Sequence, residues 1–261
     1  MRAQRQIVLI AKGVWLEALR RRELYVIVAV SCLFILALAR LRFFGLDGLS
    51  KFYREIALKI MGFSTALTVI VLGARQLPRE FESRTVYPLL ARPVGRFHFL
   101  LGKQLGVMGA GFFCMTLFML LYVAGCLVLG VPVYPLLLLQ HVFLQTCLFT
   151  ILTSLSFLLS IRMSHDAALS LGFLFYLVSN ILSNLFLLLY DTAEGLGRTL
   201  IVALTWLFPQ LVLFDLSEKN VHGDVWPPLS ASVLGQLALY ALVFTGAYFL
   251  LALWSFRRKP L

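Results

Sequence analysis

Long apolar runs separated by short polar breaks make up most of the chain. Six of these runs approach or exceed the length that a helix needs to cross ~30 Å of hydrocarbon, about 20 residues. They cover Leu24–Ala39, Ile56–Gly73, Gln104–Leu129, Leu136–Ile161, Ala167–Leu189 and Ala231–Phe256. The runs are continuous, whereas strands of an outer-membrane barrel alternate apolar and polar residues over about 10 positions. The pattern therefore predicts an all-α polytopic membrane protein with six transmembrane helices.

The residues before the first run have a helical pattern of their own. Ile7, Ile10, Val14 and Ala18 recur on one side, and Lys12 lies elsewhere. An amphipathic helix with basic residues on its polar side is typical of a membrane surface. We therefore divide the chain into an N-terminal interfacial helix at 1–23 and a six-span transmembrane domain at 24–261.

Composition supports this class, and the charges predict an orientation. Hydrophobic residues make up 61% of the chain, charged residues 13%, and the mean hydropathy is +0.91, which excludes an ordinary soluble domain. The net charge is +11, but with the N-terminus inside, 16 of the 23 Lys and Arg residues fall on inner segments. This distribution follows the positive-inside rule. We expect a protein of the cytoplasmic (inner) membrane with both termini cytoplasmic, and no nucleic-acid partner.

The segment between the fifth and sixth runs, residues 190–230, is mixed in character. Its middle, Leu200–Leu213, is apolar enough to suggest a seventh span. A seventh span would place Arg257 and Arg258 outside, against the charge rule, and Pro209 interrupts the stretch. We expect extracytoplasmic re-entrant helices here, which dip into the outer leaflet without crossing it.

The chain carries no recognisable catalytic or metal-binding motif. Among its four histidines only His165 adjoins a carboxylate, that of Asp166, and there is no HExxH sequence. The nearest approach to a nucleotide-binding loop runs from Gly95 to Gly102 and Lys103. Six residues separate its glycines, where a phosphate-cradling loop has four. We expect no catalytic residue, no metal site and no cofactor in this chain.

Polar side chains inside the spans allow two interpretations. Gln140, His141 and Gln145 lie early in the fourth span, and Ser179 and Asn180 lie in the fifth. Such groups either form hydrogen bonds within the helix bundle or touch a substrate. No carboxylate lies deep in any predicted span, which argues against a proton relay.

A charged segment at 74–103 separates the second and third spans on the predicted cytoplasmic side. Within it, Val86, Leu89 and Leu90 fall on one side of a short helix that Pro93 would end. Such a helix either lies on the lipid surface or docks its apolar face into a groove of a partner protein.

The order of residues in this segment resembles the cytoplasmic loop of ABC-2 type transporter permeases. The residues that carry the resemblance are Glu80, Glu82, Thr85, Leu89, Leu90, Pro93 and Arg96, followed by Gly102 and Lys103. The C-terminal part is similar to the end of the same proteins, from Leu207-Phe208-Pro209 to Phe256-Arg257-Arg258. These proteins are the membrane subunits of ATP-binding-cassette exporters, and the loop contains their coupling helix. The resemblance implies that Glu80 through Arg96 contact a separate ATPase subunit.

The resemblance also implies a mechanism and partners. The chain would be a permease subunit, and the substrate would move by ATP-driven alternating access, with ATP and Mg bound in the partner ATPase. A second permease copy or a related permease would complete the path, and the bilayer would surround it. The residues implied along that path, from the second and fifth spans, are Thr65, Thr68, Ser179, Asn180, Ser183 and Asn184. The alternative is a membrane-embedded enzyme, channel or assembly factor without ATP coupling.

Overall fold

A computed structural model describes residues 2–40, 46–82, 95–192, 195, 197–199 and 208–258. The regular structure in these ranges is helical throughout. In chain order the helices are α1 (Arg2–Leu19), α2 (Arg22–Arg40), α3 (Leu46–Glu82), α4 (Arg96–Leu129), α5 (Pro135–Arg162), α6 (His165–Thr192), the short α7 (Ser217–Val221) and α8 (Ala231–Arg258). A 3-10 turn at Leu211–Phe214 precedes α7.

Five helices within the described ranges are long and apolar enough to cross a membrane. They are Lys51–Pro78 in α3, Arg96–Leu129, Pro135–Arg162, His165–Leu182 in α6, and Ala231–Arg258. The chain is therefore a multi-pass membrane protein. Helix α2 lies where the first span was predicted but is not among these five, and α3 extends well beyond its predicted span at both ends.

Helices α3 and α5 form the centre of the bundle. Helix α3 packs against α2, α4, α5, α6 and α7, and α5 packs against α3, α4, α6 and α8. The membrane-length part of α3 is 67% buried and that of α5 is 61% buried, against 28% or less for the other three. Peripheral helices consequently expose apolar side chains such as Leu127, Ile181 and Leu242. In a membrane these faces would contact lipid.

From α2 onward, long helices that follow one another along the chain alternate in direction. Two helices are antiparallel when their contacts run in opposite sequence order, and α2, α4 and α6 are each antiparallel to α3 in this way. The contacts are Ser31–Ser64 and Glu23–Arg75 for α2, Lys103–Gln76 and Gly125–Tyr53 for α4, and Gly172–Ile70 and Tyr176–Phe63 for α6. Contacts in the same order identify parallel pairs: Gly62–Gln145 and Gly73–Ser156 for α3 with α5, and Thr150–Thr245 and Arg162–Ser255 for α5 with α8. The starts of α2, α4 and α6 therefore meet the ends of α3, α5 and α8.

This meeting point is rich in arginine, and we call it the basic end. Its arginines are Arg20, Arg21, Arg22, Arg75, Arg96, Arg162, Arg257 and Arg258. It is the end that the charge distribution predicts to be cytoplasmic. A hydrogen bond from Arg75 lowers the pKa of the Glu23 carboxyl, so Glu23 is ionised at neutral pH and pairs with Arg75. We call the other end of the bundle the opposite end.

Helix α1 packs across the first half of α4, where glycines allow a close approach. A Cβ atom added to Gly106 would lie 2.5 Å from the Val14 Cβ and 2.8 Å from the Ala11 carbonyl oxygen. A Cβ on Gly102 would lie 2.9 Å from the Ile10 Cβ. Small residues let helix backbones approach closely in membranes, where dispersion contacts drive association. The glycines of α4 thus hold α1 against the bundle.

Replacing Gly106 with alanine should separate α1 from α4. Alanine favours a helix by about 1 kcal/mol over glycine, but its Cβ has no room here, and overpacking costs about 1–3 kcal/mol. We therefore expect Gly106→Ala to lower the thermal unfolding temperature of the detergent-solubilised protein. Gly109→Ala is the matched control, because its Cβ would meet only Trp15 Cδ1 at 3.7 Å. Equal unfolding temperatures for the two variants would contradict this packing.

Candidate functional site

The predicted contact segment is flanked by described residues on both sides. Its core, residues 83–94 with Thr85, Leu89, Leu90 and Pro93, lies outside the described ranges. Glu80 and Glu82 do not begin a separate helix, because both fall in the last turn of α3. Helix α3 continues this far because one of its faces packs inward: Leu77 is fully buried, and Gln76 and Glu80, four residues apart, both contact α4.

A buried lysine fastens the end of α3 to the start of α4. The Lys103 side chain donates a hydrogen bond to Gln76 Oε1 at 2.9 Å and forms an ion pair with Glu80. Its ammonium also lies 5.6 Å from the centre of the Phe99 ring. Lys103 is only 5% exposed, and a buried ammonium is stable only when it is paired and hydrogen-bonded. This lysine is therefore a structural link between the two helices.

Arg96 fastens the start of α4 to the end of α8. Its Nη1 donates to the carbonyl oxygens of Phe256 at 2.8 Å and Arg257 at 2.9 Å. The last carbonyls of a helix have no partner within the helix, and a cation there also complements the helix dipole. The Phe99 and Phe256 rings stack beside it, with centroids 6.0 Å apart. The implied contact residue Arg96 thus caps α8.

The two links lie on either side of residues 83–94. Glu80 holds the chain immediately before this segment to α4, and Arg96 holds the chain immediately after it to α8. The described residues on both sides of this segment are therefore held to neighbouring helices by polar contacts that are partly or fully buried.

At the opposite end, the described chain that resumes at residue 208 packs between the helices. The Ser179 hydroxyl donates to the Pro209 carbonyl oxygen at 2.5 Å and accepts from the Leu211 N–H at 3.3 Å. The Tyr240 hydroxyl accepts from the Gln210 N–H at 3.0 Å. Because Ser179 lies about halfway along α6, the backbone of residues 209–211 lies beside the middle of that helix. Non-helical backbone inside a helix bundle is tolerated only where protein groups satisfy it.

Polar side chains of α5 bind the next part of this segment. Gln145 Nε2 donates to the Phe214 carbonyl oxygen at 3.4 Å, and His141 Nδ1 accepts from the Leu216 N–H at 3.2 Å. Gln140 exchanges two hydrogen bonds with the backbone of Leu229, at 3.0 and 2.9 Å. All three side chains form hydrogen bonds within the bundle, and their partners are backbone atoms of Phe214, Leu216 and Leu229.

The implied path residues lie in separate surroundings. Thr65 and Thr68 are fully buried, their hydroxyls donate to the carbonyl oxygens one turn earlier, and the Thr65 methyl group faces Gly111 of α4. Ser179 binds the backbone of Pro209 and Leu211, and half-buried Asn180 donates to the Tyr176 carbonyl oxygen at 3.0 Å. The structure therefore does not bring the threonines of α3 together with Ser179.

The remaining two path residues, Ser183 and Asn184, belong to α6, but their side chains lie outside the described part. Across the ranges that the structure covers, three or more His, Cys, Asp or Glu side chains never group so that they could hold a metal ion.

The chain also matches the model of a known protein family. The family model described as ABC-2 family transporter protein matches residues 16–183, more than half of the chain. The chain belongs to the ABC-2 transporter family. The resemblance found in the sequence is thereby confirmed. The match runs from the end of α1 into α6, so it includes the α3–α4 link and segment 83–94. No curated protein matches the chain.

The lysine link of this ABC-2 family chain can be tested by removing one charge at a time. Glu80→Gln should destabilise the protein by about 3 kcal/mol, because it leaves the Lys103 ammonium buried without its counter-charge. Adding Lys103→Met removes the second charge and should recover most of that loss, so the two changes should be strongly non-additive. The measurement is thermal unfolding of the single and double variants in detergent.

Glu55→Gln provides the control for this cycle. Glu55 also pairs with a lysine, Lys59, at 2.6 Å, but both side chains are more than a third exposed. Exposed pairs contribute ~0–1 kcal/mol, so Glu55→Gln should change stability little. Additive effects of Glu80→Gln and Lys103→Met would show that the buried link does not exist.

Proposed function

We propose that this chain is the permease subunit of an ABC exporter in the cytoplasmic membrane. In this proposal α2 is the first of six spans, and both termini lie in the cytoplasm at the basic end. Support comes from the family match, from the antiparallel packing of α2 on α3, and from the arginines at that end. Helix α1 would lie at the cytoplasmic membrane surface, where its basic residues would meet lipid headgroups.

A separate ATPase subunit would bind at the basic end and supply the ATP and Mg site. The observation that supports this proposal is that the described residues on both sides of 83–94 are held by the Lys103 and Arg96 links. Closure of the ATPase dimer would push on this segment, and the links would make α3, α4 and α8 move with it. A partner shifts such an equilibrium only through its different affinity for the two states. The ATP-bound ATPase must therefore bind the outward-releasing state more tightly.

A second permease, identical or related, would complete the substrate path. Helix α6 suits a role beside that path, since only 17% of its membrane-length part is buried within the single chain. Asn180 and Asn184 are four residues apart and share a face of α6. Amide groups facing lipid would lose several kcal/mol, so this face would border a second copy or water. Thr65 and Thr68 would join the path only when α3 and α4 separate.

The docking segment can be tested in the reconstituted complex with its ATPase. We expect Leu89→Asp together with Leu90→Asp to abolish transport-coupled ATP hydrolysis, because an unpaired carboxylate in an apolar groove costs ~3 kcal/mol or more. That penalty corresponds to about 100-fold weaker binding. Hydrolysis rate and ATPase co-purification are both measured, after membrane insertion has been verified.

Val225→Asp is the control for this test. Val225 is 71% exposed at the opposite end, so a carboxylate there should leave both measurements unchanged. Unchanged hydrolysis in the Leu89→Asp, Leu90→Asp variant would rule out segment 83–94 as the coupling element.

A further inference from the structure

Arg54 is a buried cation without a carboxylate partner in the described part of the chain. It lies near the start of α3, at the opposite end, and is 4% exposed. Its Nη1 makes one long hydrogen bond, 3.4 Å, to the Pro132 carbonyl oxygen. Its Cζ lies 5.8 Å from the centre of the Tyr134 ring, and its Nε is buried with no partner.

A second unused donor lies next to Arg54. The Tyr53 ring stacks on Tyr122, with centroids 6.3 Å apart and planes 2° from parallel, and its hydroxyl is buried without a hydrogen bond. Tyr53 directly precedes Arg54 in α3; its hydroxyl packs against Gly125 near the end of α4, and Arg54 contacts the connection that follows α4, so we treat the two donors as one cluster. The cluster lies between the start of α3, the end of α4 and the α4–α5 connection.

Three of the acidic side chains described near this end are already engaged. Glu55 forms an ion pair with Lys59 at 2.6 Å, and Glu218 approaches the same lysine at 3.8 Å. The Asp215 carboxylate accepts hydrogen bonds from the backbone and side chain of Ser217. None of these carboxylates forms an ion pair with Arg54.

These observations describe a cation that lacks a counter-charge. Removing a guanidinium from water is unfavourable unless an anion and several hydrogen bonds replace the water. One long bond to a neutral carbonyl and one ring face replace little of it. The planar fork of arginine fits the two oxygens of a carboxylate or phosphate, and a phenol O–H can donate to the same group.

We propose that Arg54 and Tyr53 form a binding site for an oxyanion that enters from the opposite end of the bundle. The chemistry fits a phosphate or carboxylate group, whether on a lipid headgroup of that leaflet or on a small soluble anion. The site does not depend on ATP coupling or on a second permease, so it can be tested on the chain alone. A purely structural Arg54 would only hold the α4–α5 connection and would not respond to oxyanions.

The test measures the thermal unfolding temperature of the purified chain in two arms. One arm compares inorganic phosphate with chloride at equal ionic strength in a neutral detergent. The other compares phosphatidylcholine nanodiscs with and without phosphatidylglycerol. A ligand of the folded state raises the unfolding temperature, and we expect a rise of ~2 °C or more in at least one arm. A rise with phosphate indicates a soluble anion, and a rise with phosphatidylglycerol alone indicates a lipid headgroup.

Variants determine whether the rise comes from this site. Arg54→Gln should abolish it, whereas Lys51→Gln, which removes an exposed cation from the same helix, should retain it. If Arg54→Gln does not fold, Tyr53→Phe decides, because loss of one hydroxyl should reduce the rise. The proposal is overturned if the wild-type chain gains nothing in either arm. It is also overturned if the decisive variant gains as much as the wild type.

Discussion

Polar groups inside hydrocarbon must find partners within the protein, and this constraint determines where the irregular parts of the chain lie. The stretch from Pro209 to Leu229 can enter the bundle only because hydroxyl, imidazole and amide groups of the spans meet its backbone. The Ser179 hydroxyl pairs with the backbone of Pro209 and Leu211, and the Gln140 amide pairs with the backbone of Leu229. Without those side chains, the same backbone would be exposed to lipid at a cost of several kcal/mol per unpaired group.

The same constraint acts on charge at the basic end. The Lys103 ammonium is stable in a buried place because Glu80 and Gln76 accept its hydrogen bonds, and the Arg96 guanidinium binds carbonyl oxygens that α8 leaves unpaired. These contacts hold the described residues on both sides of 83–94 to helices α4 and α8. They are the basis of the proposal that this segment couples the bundle to an ATPase.

Sequence patterns predicted the helices well because hydrocarbon requires long apolar runs, and each predicted run lies within a helix of the structure. They did not predict how far α3 extends, because the charges of Arg75 and Glu80 suggested that the second span ends near Gly73. Glu23 and Lys103 neutralise those charges, and neither partner is close in sequence. The partners of His141 and Gln140 lie 75 and 89 residues away and are backbone atoms, so no residue pattern could identify them. The burial of Arg54 likewise emerges only from the fold.

The most direct test of the account is photo-crosslinking from segment 83–94 in native membranes. A photoreactive side chain at position 86 should crosslink to a chain that carries an ATP-binding motif, and the same reporter at position 225 should not. The account also predicts that position 86 is protected from membrane-impermeant labels added outside the cell. A crosslink to an ATPase from position 225 instead, or labelling of position 86 from outside, would contradict it.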